Sequence, residues 1–473
     1  MIEGSLPILD LVDVDGACMG WVLGHPIHEG KMLGSAVRLG LSANAPDSIE
    51  RLERYLDGLA GRFLAIVLAP GVACVYPDSI GSLAVVYAPG RGMLSSSPFL
   101  IPYGEDAEDR VDLLSALRVG ATRGRLLFGL APRHGMHRLL PNHVLDLSTW
   151  TATRIWPRTE LSGVDPADAV TGVAESVGSS ISALVQRGPL TMSLTGGHDS
   201  RMLLACARPF VDRIRFATLP IPDRTGRIDV NLARAISRRH GLDHVVPVWA
   251  EASAEDLALW LYRTGFTAGA PRGQHAVRCQ ASLGNRHAYT EGLCGEYPRK
   301  VRLDRQKWSG GRPTPEELVA QFPGPVREES LRQAAAWLEG VSHLDPIMIM
   351  ELAWMENSLG AWGGPMTYAC PEGYEFMLYP LAHRRNFELW FGLPPEYRAS
   401  GRFVTDFLDR LWPELLDVPF NQPVGWLQQT ERARRFAARI RAALTGVASG
   451  AITACCPAAE QSSYLAEALG PIV

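Results

Sequence analysis

Short apolar runs broken by glycine and proline characterise residues 1 to about 157. Four of these runs follow each other at intervals typical of hairpins, namely RFLAIVLAP, ACVYP, LAVVYAP and GMLSSS. This pattern predicts a first region that is mostly β-structure. A polar stretch at 158–167 follows it, and Asp165-Pro166 within that stretch favours the start of a helix.

After residue 167 the pattern alternates between strands and helices. A helix-period stretch ending at Arg187 leads to the buried strand LTMSLT, a Gly-Gly turn and a second helix, SRMLLACA. The strand IRFATL, the amphipathic helix VNLARAISRRHG and the apolar run VVPVW come next. This alternation predicts a parallel sheet with helical crossovers, followed by a largely helical part. We therefore expect two domains, 1–157 and 158–473.

Composition and charge narrow the class of protein. The chain has 473 residues, of which 47% are hydrophobic, which excludes a disordered chain. A net charge of −4 argues against nucleic-acid binding. Glu3 and Asp10 stand where a secretory signal would be basic, and no apolar stretch reaches the roughly 18–20 residues that span a bilayer. We expect a cytoplasmic protein without nucleic-acid or membrane partners.

Lysine is scarce in this chain. Only Lys31, Lys300 and Lys307 are lysines among 46 basic residues, an imbalance that codon bias in a GC-rich genome explains most simply. The imbalance still has a chemical consequence, because any mechanism that needs a lysine has three positions to choose from.

The strongest motif is the run Ser-Leu-Thr-Gly-Gly-His-Asp-Ser-Arg at 193–201, between a predicted strand and a predicted helix. Gly196 and Gly197 let the backbone turn sharply, so that successive N–H groups face a shared concavity beside a helix N-terminus. Thr195 and Ser200 offer hydroxyl donors to phosphate, and Asp199 suggests a bridging Mg²⁺. We expect a nucleotide at this strand end. A tight turn with Asp199 as helix cap is the alternative.

The run LTGGHDS resembles the SGGxDS pyrophosphate loop of the asparagine synthetase family, which includes β-lactam synthetase, carbapenam synthetase and lasso peptide macrocyclases. The segment from Thr290 to Glu296 resembles the second, acidic pyrophosphate loop of that family. Asp229 and His244 match its acidic residue and the histidine after the following helix. Asp78 stands at the D-x-x-G turn of a class II glutaminase-like domain.

The resemblance implies an α+β fold followed by an α/β fold. The first would be an inactive class II glutaminase-like (Ntn-type) β-sandwich. The second would be a PP-loop ATP-pyrophosphatase synthetase domain with a helical C-terminal part. The implied chemistry uses ATP and Mg²⁺ to turn a carboxylate into an acyl-AMP with release of pyrophosphate, and an amine then attacks the acyl carbon.

The resemblance also implies roles for individual residues. Those implied for phosphate are Ser193, Thr195, Gly196, Gly197 and Ser200. Those implied near the adenosine are Thr218, Leu219 and Gly292. Asp199 and Glu296 are the implied carboxylates for Mg²⁺.

Two departures from the family bear on the amine substrate. Glutamine-hydrolysing members need an N-terminal cysteine, whereas this chain begins Met1-Ile2 and its first cysteine is Cys18. We therefore expect no glutaminase activity and an amine other than free ammonia. β-Lactam-forming members pair a tyrosine with a later glutamate, and here Leu293 replaces the tyrosine while Glu356 matches the glutamate. β-Lactam closure is thus disfavoured, and Glu356 is a candidate base or amine-orienting group, or else a helix-surface carboxylate near an ion pair.

A third departure concerns the family's late-helix lysine, which stabilises charge during acyl transfer. Arg402 stands at the matching place. With a pKa above about 12, arginine supplies fixed charge but no proton. Lys300 is the other candidate for this role, although a solvated loop charge is the favoured interpretation of both Lys300 and its neighbour Arg299.

These features together predict an ATP-dependent amide-bond-forming ligase of specialised metabolism. A lasso-type peptide macrocyclase is the first candidate, followed by a small-molecule amide ligase or an asparagine synthetase-like enzyme. The carboxylate and amine belong either to one peptide or to two molecules, and biosynthetic proteins are expected partners. A non-catalytic nucleotide-binding partner protein is the alternative from another class. A sulfur-transfer PP-loop enzyme is a third, which the glutaminase-like region argues against.

Overall fold

The structure used here is a computed structural model. It describes residues 6–42, 45, 47–102, 108–118, 124–248, 252–267, 269, 273, 287–299, 304–369 and 375–421. Within these ranges the chain is mixed α/β, with a β-rich part first and a parallel sheet with helices after it.

The first part contains two sheets. Its strands are β1 Ile8–Val12, β2 Cys18–His28, β3 Lys31–Met32, β4 Ala36–Arg38, β5 Ala60–Ala69, β6 Val72–Pro77, β7 Val86–Ala88, β8 Met93–Ser95, β9 His137–Arg138, β10 His143–Asp146 and β11 Thr151–Arg154. The larger sheet has the order β11-β10-β6-β5-β2-β1-β4, with β3 beside β2, and the smaller has the order β8-β7-β9. The described residues of this part also form two α-helices, α1 Ser48–Asp57 and α2 Val111–Leu117. The predicted hairpins are confirmed, because β5 pairs with β6 and β7 with β8 in antiparallel fashion.

Strand β5 shows why this sheet is stable. Side chains alternate between the two faces of a strand, so Phe63 and Ala65 lie on one face and Leu64 on the other. The first two join an apolar cluster that includes Leu52 of α1. Leu64 joins a second cluster with Val85, beside the smaller sheet. Both faces of the larger sheet are therefore covered.

The second part is built on a five-stranded parallel sheet. Its elements are α3 Pro166–Arg187, β12 Leu190–Ser193, α4 His198–Ala207, β13 Ile214–Ala217, α5 Arg224–His240, β14 His244–Val245, α6 Ala254–Thr264, β15 Ala288–Thr290 and β16 Met377–Leu378. The strand order is β14-β13-β12-β15-β16, and every pairing is parallel. The predicted alternation is confirmed, as is the helix start: Asp165 accepts from the Ala167 N–H at 2.8 Å and Pro166 opens α3.

Helices dominate the remainder of the described chain, as predicted. They are Pro315–Ala320, Glu328–Glu339, Pro346–Trp354, the π-helical turns Met355–Gly363, Gly364–Met366, Arg384–Phe391, Pro395–Ser400 and Arg402–Leu411. No helix in the described ranges is long and apolar enough to cross a membrane.

One apolar cluster spans both parts. The largest apolar cluster contains Ile80 and Trp156 from the first part and Val173 and Ile181 from α3. The predicted boundary at 157/158 lies between β11 and α3, and the division into domains stays a prediction.

The Asp78 turn provides a second connection between the parts. Its carboxylate accepts from the backbone N–H groups of Phe63, Ile80 and Ser82 at 3.0–3.1 Å. Burial raises the pKa of Asp78, and these donors oppose that shift. The turn touches the second part at Gly364, where a Cβ would lie 3.2 Å from the carbonyl carbon of Gly81.

Candidate active site

The two loops singled out in the sequence lie at one edge of the parallel sheet. Strand β12 ends at Ser193, and α4 begins at His198. Strand β15, which pairs with β12, ends at Thr290 and leads into the acidic loop. Because parallel strands end at the same edge, loop 193–201 and loop 290–299 emerge side by side, where open α/β sheets bind ligands.

Asp199 is the point of contact between the loops. A Cβ at Gly292 would lie 2.6 Å from the Asp199 carbonyl carbon, and a Cβ at Gly295 would lie 2.7 Å from its Oδ1. Neither glycine has a positive φ, so close approach of the acidic loop, rather than turn geometry, requires them.

Arg299 binds the same carboxylate. Its Nε and one terminal nitrogen donate to Asp199 Oδ1 at 3.2 and 2.9 Å, and Nε also donates to the Gly295 carbonyl at 3.3 Å. The side chains are only 16% and 25% exposed. The structure therefore corrects the interpretation of Arg299 as a solvated loop charge. No local signal identifies this pair, because its members are 100 positions apart in the chain.

The backbone N–H groups at the start of loop 193–201 are already bonded to side chains and do not line the open concavity that the sequence predicts. The Thr195 N–H donates to Ser200 Oγ at 3.1 Å, the Gly197 N–H to Thr195 Oγ1 at 3.0 Å and the Gly196 N–H to Asp229 Oδ1 at 3.0 Å. The expectation that these three groups face a ligand is thus wrong for this conformation. Backbone donors removed from water need acceptors, and nearby side chains supply them. Phosphate binding would have to exchange these bonds.

A late segment, 415–421, packs against the back of this loop. Asn421 donates from its side chain to Asp229 Oδ1 at 2.6 Å and from its backbone to the Gly196 carbonyl at 2.9 Å. Burial raises the pKa of Asp229, and the donors Asn421 and Gly196 oppose the shift. The ring of Phe420 stacks on His198 with centroids 4.1 Å apart. Asn421 therefore positions the loop, a role that the sequence reasoning missed.

Arg201 fixes the same segment from inside the protein. This fully buried side chain donates to the Gly196 carbonyl at 3.3 Å and to the Leu415 carbonyl at 2.9 Å. It also donates to the carbonyls of Val418 and Pro419. The loop conformation therefore depends on residues about 220 positions away in the sequence.

Glu296 is buried, and it lies near Cys294, as Asp199 does. Burial raises the pKa of the Cys294 thiol well above its ordinary value, and the charges of Glu296, Asp199 and Asp78 raise it further. Three carboxylates therefore lie within electrostatic range of Cys294, and this thiol stays protonated and unreactive. Within the described ranges, no three His, Cys, Asp or Glu side chains are grouped to hold a metal. Mg²⁺ usually takes only one or two carboxylates besides phosphate oxygens, and Asp199 and Glu296, both near Cys294, match that number.

The residues proposed near the adenosine occupy two different environments. Thr218 is fully buried, and its hydroxyl donates to the Leu194 carbonyl and lies 2.8 Å from His244 Nε2. Its side chain thus joins β12, β13 and β14, and it is not placed to contact a nucleotide. Leu219, like Ser193 and Gly292, is partly exposed at the sheet edge.

Glu356 lies in the core, not on a helix surface. Arg154 donates to both of its carboxylate oxygens at 2.6 and 2.9 Å, and Asn142 and Trp337 donate at 2.8 and 2.6 Å. Burial alone would raise the pKa of Glu356, but Arg154 and His143 outweigh it and hold the pKa below its ordinary value. A fully bonded, ionised carboxylate with no exposed surface is poorly suited to act as a base. The structure corrects that interpretation in favour of a structural ion pair.

Of the two candidates for the family lysine, Arg402 lies within the described residues. Arg402 begins the helix Arg402–Leu411, its side chain is 69% exposed, and it lies 3.7 Å from Asp406. Its neighbour Gly401 approaches the acidic loop, because a Cβ there would lie 3.7 Å from the Arg299 carbonyl oxygen. Lys300 falls outside the described residues.

Comparison with known proteins gives this chain no family. Neither a scan against models of protein families nor a search of curated proteins found a match. The resemblance to the asparagine synthetase family therefore rests on the motifs given above and stays a prediction.

Proposed function

We propose that the chain is an ATP-dependent amide-bond-forming ligase. It would adenylate a substrate carboxylate with release of pyrophosphate and then join the acyl group to an amine other than free ammonia, with AMP as the leaving group. The observation that best supports this proposal is the meeting of loops 193–201 and 290–299 at Asp199. ATP would supply the adenylyl group, and Mg²⁺ would offset the phosphate charge.

The protein's own groups have distinct tasks under this proposal. Asp199 and Glu296 would hold the metal. Thr195 and Ser200, together with the N–H groups of the glycines between them, would bind the pyrophosphate portion. The two hydroxyls and the Thr195 and Gly197 N–H groups would exchange neutral hydrogen bonds within the loop for charge-assisted ones to phosphate, which favours the exchange. The Gly196 N–H would instead have to leave the Asp229 carboxylate.

A lasso-type peptide macrocyclase is the first candidate within this class, followed by a small-molecule amide ligase or an asparagine synthetase-like enzyme. Leu293 in place of a tyrosine and the buried ion pair of Glu356 both argue against the base used for β-lactam closure. Charge for the acyl-transfer step would come from Arg402 or Lys300. Single-turnover rates of Arg402→Lys, Arg402→Ala and Lys300→Ala test these two, and the assignment fails if none slows the step after adenylation.

The test of the proposed function is substrate-dependent exchange between pyrophosphate and ATP. We expect exchange with the right carboxylate substrate and its loss in Asp199→Ala. Asp243→Ala is the matched control, because Asp243 is paired with Arg215 on the surface. The absence of exchange with every carboxylate offered, together with no ATP binding, would overturn the proposal.

A non-catalytic nucleotide-binding partner protein is the second candidate. The observation that favours it is the pairing of Asp199 with Arg299, which occupies a carboxylate proposed for Mg²⁺. This candidate predicts nucleotide binding without AMP release under any substrate. Production of AMP would exclude it.

A further inference from the structure

Arg299 brings a fixed positive charge to the place where the two loops meet. Its guanidinium donates twice to Asp199 Oδ1, and Glu296 lies three residues earlier in the same loop. Surface arginines elsewhere in the chain are far more open, as in the Arg385–Glu175 pair, where the side chains are 53% and 62% exposed. The position of Arg299 is thus set by the fold.

The residues that precede Arg299 in the loop hold it in this position. The Arg299 N–H donates to the Glu296 carbonyl at 3.3 Å, and its side chain bends back to the Gly295 carbonyl. The preceding Tyr297 is fully buried, and its ring packs edge-on against Phe387 with centroids 5.4 Å apart. Because the backbone is anchored next to it, Arg299 stays close to Asp199 whether or not the two side chains are paired.

We propose that Arg299 is the counter-ion of Asp199 before nucleotide binding and a pyrophosphate ligand after it. This inference rests on the proposed function. A guanidinium and Mg²⁺ compete for the same carboxylate oxygen, since both are cations. When metal takes that carboxylate, the planar guanidinium is released beside the phosphates, whose oxygens match its fork of donors.

The arrangement couples the two ligands. When metal binds alone, Arg299 loses its ion pair with Asp199 and gains no other anion. When metal binds together with pyrophosphate, the phosphate oxygens give Arg299 a new anionic partner. Metal and pyrophosphate therefore bind cooperatively, and the cooperativity is carried by one side chain. This coupling would keep the site from taking up metal without nucleotide.

The experiment measures two affinities of the full-length protein separately. Mn²⁺ alone is followed by electron paramagnetic resonance, and pyrophosphate in saturating Mg²⁺ is followed by calorimetry. We expect Arg299→Ala to bind Mn²⁺ alone at least about threefold more tightly and pyrophosphate at least about tenfold more weakly. Arg299→Lys keeps the charge, so both shifts should be smaller. Arg385→Ala is the control and should match the wild type.

The proposed role predicts that Arg299→Ala changes the two affinities in opposite directions, which a purely structural role does not. If Arg299 only maintains the loop, Arg299→Ala weakens both affinities together, and the proposal is overturned. The same holds if neither affinity changes while the wild type binds both ligands. Failure of the wild type to bind ATP or pyrophosphate at all would instead reject the proposed function. Thermal unfolding of Arg299→Lys and Arg299→Ala shows whether either variant is misfolded.

Discussion

The chain uses arginine–carboxylate pairs in two contrasting regions. At the junction of the two parts, Arg154 and Glu356 are 7% and 0% exposed, and both carboxylate oxygens are bonded. At the sheet edge, Arg299 and Asp199 are 16% and 25% exposed, and two guanidinium nitrogens donate to Asp199 Oδ1. The two pairs differ in burial: complete burial marks a structural carboxylate, and partial exposure at a strand end marks a candidate for ligand binding.

The largest expected effect tests the junction. Glu356→Ala should lower the free energy of unfolding by about 3–5 kcal/mol, because it leaves the Arg154 guanidinium buried without its partner. Denaturant unfolding measures this change. Glu175→Ala, at a surface pair, should shift it by less than about 0.5 kcal/mol. Equal small effects for both variants would contradict the structural role of Glu356.

The pH dependence of stability also tests the structural role of Glu356. The pKa of Glu356 is held below its ordinary value of 4.5, so its contribution to stability is complete above that pH. It is lost as the pH falls through the lowered folded-state pKa. The difference in stability between wild type and Glu356→Gln should therefore shrink below pH 4.5. If the stability difference between wild type and Glu356→Gln grew toward low pH, the pKa of Glu356 would be raised in the folded protein and not lowered.

The second expected effect lies at the sheet edge. Asp199→Ala should reduce pyrophosphate–ATP exchange at least about 100-fold, the scale of losing one preorganised electrostatic contact. Its free energy of unfolding should change by no more than about 1 kcal/mol, since the pair is partly exposed. Exchange assays and unfolding are measured on the same sample. If Asp199→Ala lost as much stability as Glu356→Ala, Asp199 would be a structural carboxylate like Glu356.

A smaller effect is expected at Asn421, which links the site to the late segment. Asn421→Ala removes the donor to Asp229 but keeps the backbone bond to Gly196, so stability should fall by about 1 kcal/mol. The pyrophosphate affinity should weaken as well, because the loop conformation is less well defined. Asn421→Asp places a second carboxylate against Asp229 and should weaken the pyrophosphate affinity more than Asn421→Ala does. Unchanged affinity in both variants would show that this segment does not position the loop.

The smallest effect on stability is expected at Arg402. Its side chain is largely exposed and lies 3.7 Å from Asp406, so Arg402→Ala should change the free energy of unfolding by less than about 0.5 kcal/mol. Any slowing of the step after adenylation would then report on chemistry and not on folding. A stability loss above 1 kcal/mol would show that Arg402 belongs with the structural arginines.

Local sequence patterns predicted many of the helices and strands correctly. Asp165-Pro166 starts α3 because the cap and the fixed φ of proline act within a few residues. The strand–turn–helix around Gly196 follows from a buried apolar run and two glycines. The placement of Glu356 and Thr218 did not follow, because sequence neighbours do not show which side chains will surround a polar group.

The sequence by itself determined the order of elements, the parallel sheet and the glycine-rich loop at the end of its central strand, because these depend on periodicity and on short-range backbone preferences. Only the tertiary structure decided which charges meet. Arg299 reaches Asp199 across 100 residues, and Arg154 reaches Glu356 across 202. Such pairs depend on the packing of distant elements, and burial then sets whether a carboxylate holds the fold together or stays available for a ligand.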